Sequence, residues 1–314
     1  MKLNNILITG GAGFIGSEFV RKIVKLNKYS KIYILDNLTY ASDLSRIQME
    51  LALSNVELIV SDVKDTENYA RLLKEIKVIV HFAAESHVDN SITNSEPFLQ
   101  TNVIGSSRLI NAARLHSRAR VVLISTDEVY GSIIGGEFSE NARLSPSSPY
   151  SASKSAADLL ALAQYKTFGQ DIIITRSCNN YGPMQHQEKF IPNSILKILS
   201  NCPVSIYGDG LNTREWIHVS DHVEAIINII DKGKKGEIYN IGTNERKTNL
   251  EVINLLFDAF NKTRSIEFVD DRLGHDFRYA INSDKIREEF KWRPKINLKQ
   301  GLQELVNFSK NELN

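Results

Sequence analysis

Residues 8–20 read ITGGAGFIGSEFV, and the reading of this stretch decides the fold. An apolar run, Asn5–Thr9, leads into it, and an amphipathic segment from Phe14 to Lys28 follows. Gly10, Gly13 and Gly16 lie between strand and helix. Glycines so placed permit a tight turn, a close approach of the backbone to a pyrophosphate, and tight helix–strand packing, with the helix N-terminus facing the phosphate charge. A second apolar run, Ile32–Asp36, ends in a carboxylate at the distance expected for a ribose-binding acid. Such a group binds the adenosine ribose hydroxyls and repels a 2′-phosphate, so NAD is predicted over NADP. Asp62, after a third run, is placed on the adenine side.

Outward from this loop, apolar runs at Val56–Ser61, Val78–Ala83, Val121–Thr126 and Ile172–Ser177 alternate with stretches long enough for crossover helices. Runs this continuously apolar are buried on both faces, which is the signature of a parallel sheet. Right-handed β-α-β repetition predicts a doubly wound α/β Rossmann fold. After Ser177 the rhythm changes: Pro183, Pro192 and Pro203 appear with Gly182, Gly208 and Gly210. The run Glu237–Ile241 is predicted to rejoin the sheet. The division expected is an NAD-binding domain of residues 1–178 plus about 219–245, and a smaller, discontinuous α/β substrate domain of about 179–218 plus 246–314.

The 314 residues carry 38 basic and 37 acidic side chains, a net charge of +1 that gives no reason to expect nucleic acid or a membrane surface as partner. No run approaches a membrane-spanning length, and the start, MKLNNILITGG, lacks a signal-peptide pattern. Cys178 and Cys202 read as small core hydrophobes in a reducing compartment, so a cytoplasmic protein is expected. No metal is expected: His218 and His222 lack the intervening Glu of a zincin, and His81 reads as a satisfied core histidine.

Two further stretches carry chemistry. SPYSASKSAADLL (148–160) places Tyr150 and Lys154 four apart on one helical face, where an ammonium and a positive nicotinamide ring would lower the phenol's proton affinity. VLISTDEVYG (122–131) ends a strand with Thr126, Asp127 and Glu128. Adjacent strand residues face opposite ways, so both carboxylates reach one site only if the chain leaves β geometry there.

The glycine loop, Tyr150-x-x-x-Lys154 and Thr126 resemble the extended short-chain dehydrogenase/reductases. The resemblance narrows to the dTDP-glucose 4,6-dehydratase family through DNLTYA (36–41), HFAAESHVDNSI (81–92), STDEVYG (125–131), PYSASK (149–154), NNYGP (179–183), EKFIP (188–192), REWIHVSDH (214–222) and GHDFRYAI (274–281). It implies that Tyr150, tuned by Lys154 and aided by Thr126, takes an alcohol proton at a sugar C4 while hydride leaves for NAD. Glu128 is implied as base at C5 and Asp127 as acid at C6, giving a 4-keto-6-deoxy sugar nucleotide. The cofactor set it implies includes Gly10, Gly13, Phe14, Ile15, Gly16, Asp36, Asn37, Leu38, Thr39, Asp62, Val63, Phe82, Ala83, Ala84, Tyr150 and Lys154. For dTDP-glucose it implies His87, Thr126, Asn180, Glu188, Lys189, Ile206, Tyr207, Arg214, Asn249 and His275, with Arg272 and Arg278 as further phosphate candidates. Leu273 and Gln187 stand where that family commonly has proline, which bears on loop shape near the nucleotide. A homodimer through Pro97–His116 and Ser151–Phe168 is likewise implied. The competing readings are a sugar-nucleotide 4-epimerase or decarboxylase, neither of which needs the Asp-Glu pair, and a dinucleotide sensor that converts nothing.

Overall fold

A computed structural model describes residues 5–312; the outermost residues of both predicted domains lie outside the described ones. Twelve strands appear in chain order: β1 (Asn5–Thr9), β2 (Ile32–Asp36), β3 (Val56–Val60), β4 (Ile76–His81), β5 (Arg120–Thr126), β6 (Ile172–Ser177), β7 (Asn179–Tyr181), β8 (Val204–Tyr207), β9 (Thr213–His218), β10 (Ile238–Ile241), β11 (Arg246–Thr248) and β12 (Ile266–Val269). Seven of them form one parallel sheet in the order β10-β6-β5-β4-β1-β2-β3. This is the doubly wound sheet the sequence predicts, and β10 rejoins it as expected.

Alternate residues of these strands fill two cores. Ile6, Ile8 and Val122 face Phe19, Ile23 and Ile226 on one side, while Leu7, Ile79, Val121 and Leu123 face Leu109, Ala157 and Ala161 on the other. Burial on both faces explains why the strands read as unbroken apolar runs. The crossovers are less regular than predicted. Between β2 and β3 the chain makes a 3-10 turn, Leu44–Ile47, and one short helix, Gln48–Leu51; between β3 and β4 it makes only 3-10 turns, Thr66–Asn68 and Leu72–Glu75. The polar, turn-forming DVKDTEN ahead of that strand accounts for the missing helix.

A third core, with Ile191, Ile195, Trp216, Val252, Leu256 and Leu302, belongs to the segments after β6. It is covered by a three-stranded sheet, β11-β9-β7, and a two-stranded one, β12-β8. The sheet order reverses between β1 and β4, and there the carboxyl ends of the strands open a crevice, the place where doubly wound folds bind ligands. Cys178 is buried, but Cys202 is exposed, correcting the expectation that both are core residues. Its place in the turn after the helix Phe190–Leu199 keeps it out of the core. Among the described residues no helix is long and apolar enough to cross a membrane.

Candidate active site

The glycine loop closes directly on the crevice. Gly10 has φ +69°, and a Cβ there would lie 2.6 Å from the Ala83 nitrogen; a Cβ on Gly16 would lie 2.1 Å from the Gly10 carbonyl oxygen. Only glycine lets the three segments meet. The helix Phe14–Leu26 begins at Gly13 with no side-chain cap, which leaves its first N–H groups, those of Phe14, Ile15 and Gly16, for an anion. Asp36 is 5% exposed; it accepts hydrogen bonds from the Ala12 nitrogen (2.9 Å), the Leu38 nitrogen (2.9 Å) and Ser42 Oγ (2.7 Å). A carboxylate offers about four lone-pair directions, so one remains for a ribose hydroxyl while the rest hold the loop, Leu38 at φ +51° included. Asn37 Nδ2 lies 3.3 Å from Asp62 Oδ2, Val63 packs under Gly105, and Phe82 packs on Phe19.

The tip of β5 answers the question its sequence raises. Thr126 ends the strand and caps a 3-10 turn, Asp127–Tyr130, its hydroxyl accepting from the Glu128 nitrogen at 3.3 Å. The turn replaces β alternation, so Asp127 and Glu128 no longer point to opposite faces of the sheet; both lie near Thr126 and Tyr150. Asp127 is buried; Oδ1 accepts from Thr126 Oγ1 at 3.2 Å and Oδ2 has no protein partner. Burial, then the neighbouring Glu128 and Glu215, push its carboxyl well above the usual carboxylate range and favour the protonated form. Burial also raises Glu128, but Arg214, Arg272 and Lys189 oppose the rise. The two carboxyls therefore sit in environments that push them apart, as an acid and a base require.

Tyr150 lies in the first turn of the helix Pro149–Phe168, started by a capping box between Ser148 and Ser151. Thr126 lies beside its hydroxyl and favours the phenolate. The expectation that Lys154 lowers the phenol is not met by the side chains alone. Burial, Glu128 and Asp127 raise it, and Lys154 Nζ donates to the Ile124 carbonyl at 2.7 Å instead. Burial pulls the Lys154 amine down to about 8. One turn further on, Asp158 forms a fully buried ion pair with Arg176 (2.9 Å), and Arg176 also donates to Tyr130 Oη.

Facing this tip are residues of the smaller sheets. Lys189 Nζ donates to the Ser86 carbonyl at 2.8 Å, next to His87, which caps the helix Val88–Thr93. Glu188 Oε1 is 3.4 Å from Tyr40 Oη. Arg272 pairs with Asp89 at 3.3 Å, and Tyr207 Oη lies 3.4 Å from the same carboxylate. His275 Nδ1 is 2.6 Å from Asp271 Oδ1 and its ring meets Tyr207 edge-on. Asn180 is locked by His222 (2.7 Å), Ser177 (3.2 Å) and the Cys178 carbonyl (3.1 Å). Asn249 opens the helix Asn249–Phe260, its N–H donating to the Asn212 carbonyl.

Three placements differ from expectation. Ile206 is 1% exposed inside the third core while Tyr207 is 42% exposed, so strand alternation presents only the tyrosine. Arg278 does not join the other cations; it caps the 133–136 loop through the carbonyls of Ile133 and Gly136. Arg214 is buried, its terminal nitrogens on the carbonyls of Thr213 (2.9 Å) and Asp276 (2.8 Å), with its guanidinium over the Tyr279 ring. The sequence reading gave no role to Asp276 and Tyr279; the Tyr279 hydroxyl contacts both Asp276 and Glu128. It also passed over Asn102, whose amide ties the Glu85 backbone to Ser153 from within a π-helical segment, Leu99–Gly105. No periodicity marks such residues.

Fold and site together define a dinucleotide-binding enzyme of the short-chain dehydrogenase/reductase type, with two additional carboxyl groups at its strand tip. A sequence profile described as GDP-mannose 4,6 dehydratase matches residues 7–305, and the chain belongs to that family. It is 41% identical over 307 residues to a dTDP-glucose 4,6-dehydratase of Actinoplanes sp., covering 96% of each chain. Its structure resembles DesIV of Streptomyces venezuelae, a dTDP-glucose 4,6-dehydratase solved with NAD and TYD bound (TM-score 0.96, 42% identity, 98% and 97% of the two chains). A UDP-glucuronic acid 4-epimerase of Bacillus cereus superposes nearly as well, with TM-score 0.93 at 27% identity over 98% and 99% of the chains. Backbone shape alone therefore does not separate dehydration from epimerisation.

Proposed function

We propose that the protein is an NAD-dependent hydro-lyase that converts dTDP-glucose to dTDP-4-keto-6-deoxyglucose. The observation that carries this reading is the 3-10 turn after β5, which holds half-buried Glu128 and buried Asp127 in one site with the buried Thr126 and Tyr150. Epimerisation at C4 and decarboxylation need no second acid–base pair; removal of water across C5 and C6 does.

NAD fits the residues at the crevice: the close glycines, the uncapped helix start and the spare lone pair of Asp36 suit a pyrophosphate and a ribose. Gly10, Gly13, Gly16, Asp36, Asn37 and Asp62 would hold it, with Tyr150 and Lys154 at its nicotinamide end. When bound it would supply reversible hydride transfer, as acceptor for the C4 hydrogen and donor to C6. Tyr150 receives the C4 hydroxyl proton, with Thr126 orienting that oxygen. Glu128 takes the C5 proton once the C4 ketone has made it acidic, and gives a proton back to C5 when hydride is delivered to C6. Asp127, whose proton affinity burial raises, gives a proton to the C6 hydroxyl, which leaves as water. Lys189, Arg214 and Arg272 supply positive charge for the diphosphate. The exposed ring of Tyr207 is offered to the base, and Glu188, His87, Asn180, Asn249 and His275 line the sugar and nucleotide path.

In this reading residues 1–178 plus about 219–245 carry the dinucleotide, and about 179–218 plus 246–314 carry the sugar nucleotide. A homodimer through the helices Ser106–His116 and Pro149–Phe168 is supported by exposed Leu99, Ile104, Leu159, Leu160 and Phe168 on and beside them. A cytoplasmic setting suits the two free thiols. The test is mass spectrometry of dTDP-glucose, with UDP-glucose in parallel, after incubation with the protein and trace NAD. Loss of one water from dTDP-glucose is expected; an isomer of unchanged mass would instead mean epimerisation.

A further inference from the structure

Behind Glu128 stands a polar group with no part in the steps above. Tyr279 is buried, and its hydroxyl lies 2.7 Å from Asp276 Oδ2 and 3.5 Å from Glu128 Oε2. The same Asp276 oxygen accepts from Ser147 Oγ. Ser147 immediately precedes the cap of the helix that carries Tyr150. Tyr279 is itself fixed, with the Arg214 guanidinium 4.2 Å from its ring centre and its N–H on the Thr213 carbonyl.

A phenol has one proton to give. The shorter contact, to a carboxylate, is the stronger of the two, so while Asp276 holds that proton's attention the phenol oxygen turns a lone pair toward Glu128. A lone pair there is satisfied by a protonated Glu128 and repels a carboxylate. When Glu128 is ionised, the phenol proton can swing to it instead, and Ser147 still satisfies Asp276. Tyr279 thus has a partner for each protonation state of Glu128.

We infer that Tyr279 and Asp276 are positioning residues that orient Glu128 and set how tightly it holds the proton taken from C5. The inference rests on the reading of Glu128 as the C5 base. The other charged or titratable groups facing Glu128 are Arg214 on β9, Arg272 on the same loop segment, Lys189 before the helix Phe190–Leu199, Tyr150 on its helix, and the adjacent Asp127. Asp276 acts against the three cations by disfavouring the carboxylate. Removing its charge makes Glu128 a weaker base that ionises at lower pH.

The experiment compares wild type, Asp276→Asn and Tyr279→Phe with dTDP-glucose in D2O, reading deuterium entry at C5, nicotinamide reduction in a single turnover, and the pH profile of kcat/KM. For Asp276→Asn the acid limb is expected to move to lower pH, and C5 exchange to slow about tenfold, with C4 oxidation unchanged. Tyr279→Phe keeps the ring under Arg214, and the same selective loss at C5 is expected, so the test stands even should Asp276→Asn fail to fold. An unmoved acid limb, or equal losses at C4 and C5, would overturn the inference while leaving the dehydratase reading intact. A wild type that removes no water would overturn both.

Discussion

Replacing Lys154 by Met should abolish turnover yet make the protein more stable at neutral pH. Lys154 is 5% exposed, and burial lowers its amine from 10.5 to about 8. Between those two values the unfolded chain binds the proton and the folded one does not, so stability rises with pH across that window. Below about pH 8 both states are protonated and the full cost of burying the charge is present. A shift of this size at about 1.4 kcal/mol per unit corresponds to roughly 3 kcal/mol. Loss of the bond to the Ile124 carbonyl takes back about 1 kcal/mol. The variant should therefore be about 2 kcal/mol more stable at pH 7, an advantage that disappears toward pH 10.5. Urea unfolding of both proteins at a series of pH values, without added dinucleotide, measures this directly. A Met variant no more stable than wild type at pH 7, with the same pH slope, would refute the claim that the folded state holds this amine at a cost.

Two other perturbations have definite outcomes. Asp158→Asn leaves Arg176 buried without its carboxylate and should cost about 3–5 kcal/mol in urea or thermal unfolding; joint replacement with Arg176→Met should recover most of the loss. Gly16→Ala places a Cβ 2.1 Å from the Gly10 carbonyl oxygen, so the loop must shift, and NAD affinity measured by calorimetry should fall about ten- to a hundredfold for a strain of roughly 1–3 kcal/mol.

The large sheet is legible in the sequence because parallel strands buried on both faces leave continuous apolar runs, and because Gly10, Gly13 and Gly16 mark a contact only glycine allows. The smaller sheets are not. Ile266–Val269 reads IEFV, is half exposed, and pairs with β8 far earlier in the chain, so neither periodicity nor local turns reveal it. The helical face shared by Tyr150 and Lys154 follows from spacing, and so does the need for a turn at Asp127. The state of the phenol does not, because it depends on what surrounds it in space: burial and the neighbouring Glu128 and Asp127 oppose ionisation, and Lys154 donates to a carbonyl. Asp276 and Tyr279 were hidden for the same reason, as polar residues in a loop with no period. Ile206 shows the converse error, since a motif names neighbours but strand alternation decides which of them faces the ligand.

In the proposed mechanism Glu128 and Asp127 add water removal to a C4 oxidation site. It is tested most directly by single-turnover analysis of wild type and Glu128→Gln with dTDP-glucose in D2O. The account predicts a wild-type product that has lost one water and carries deuterium at C5, and a variant that reduces the nicotinamide but neither exchanges C5 nor loses water. Normal water loss by the variant would contradict it.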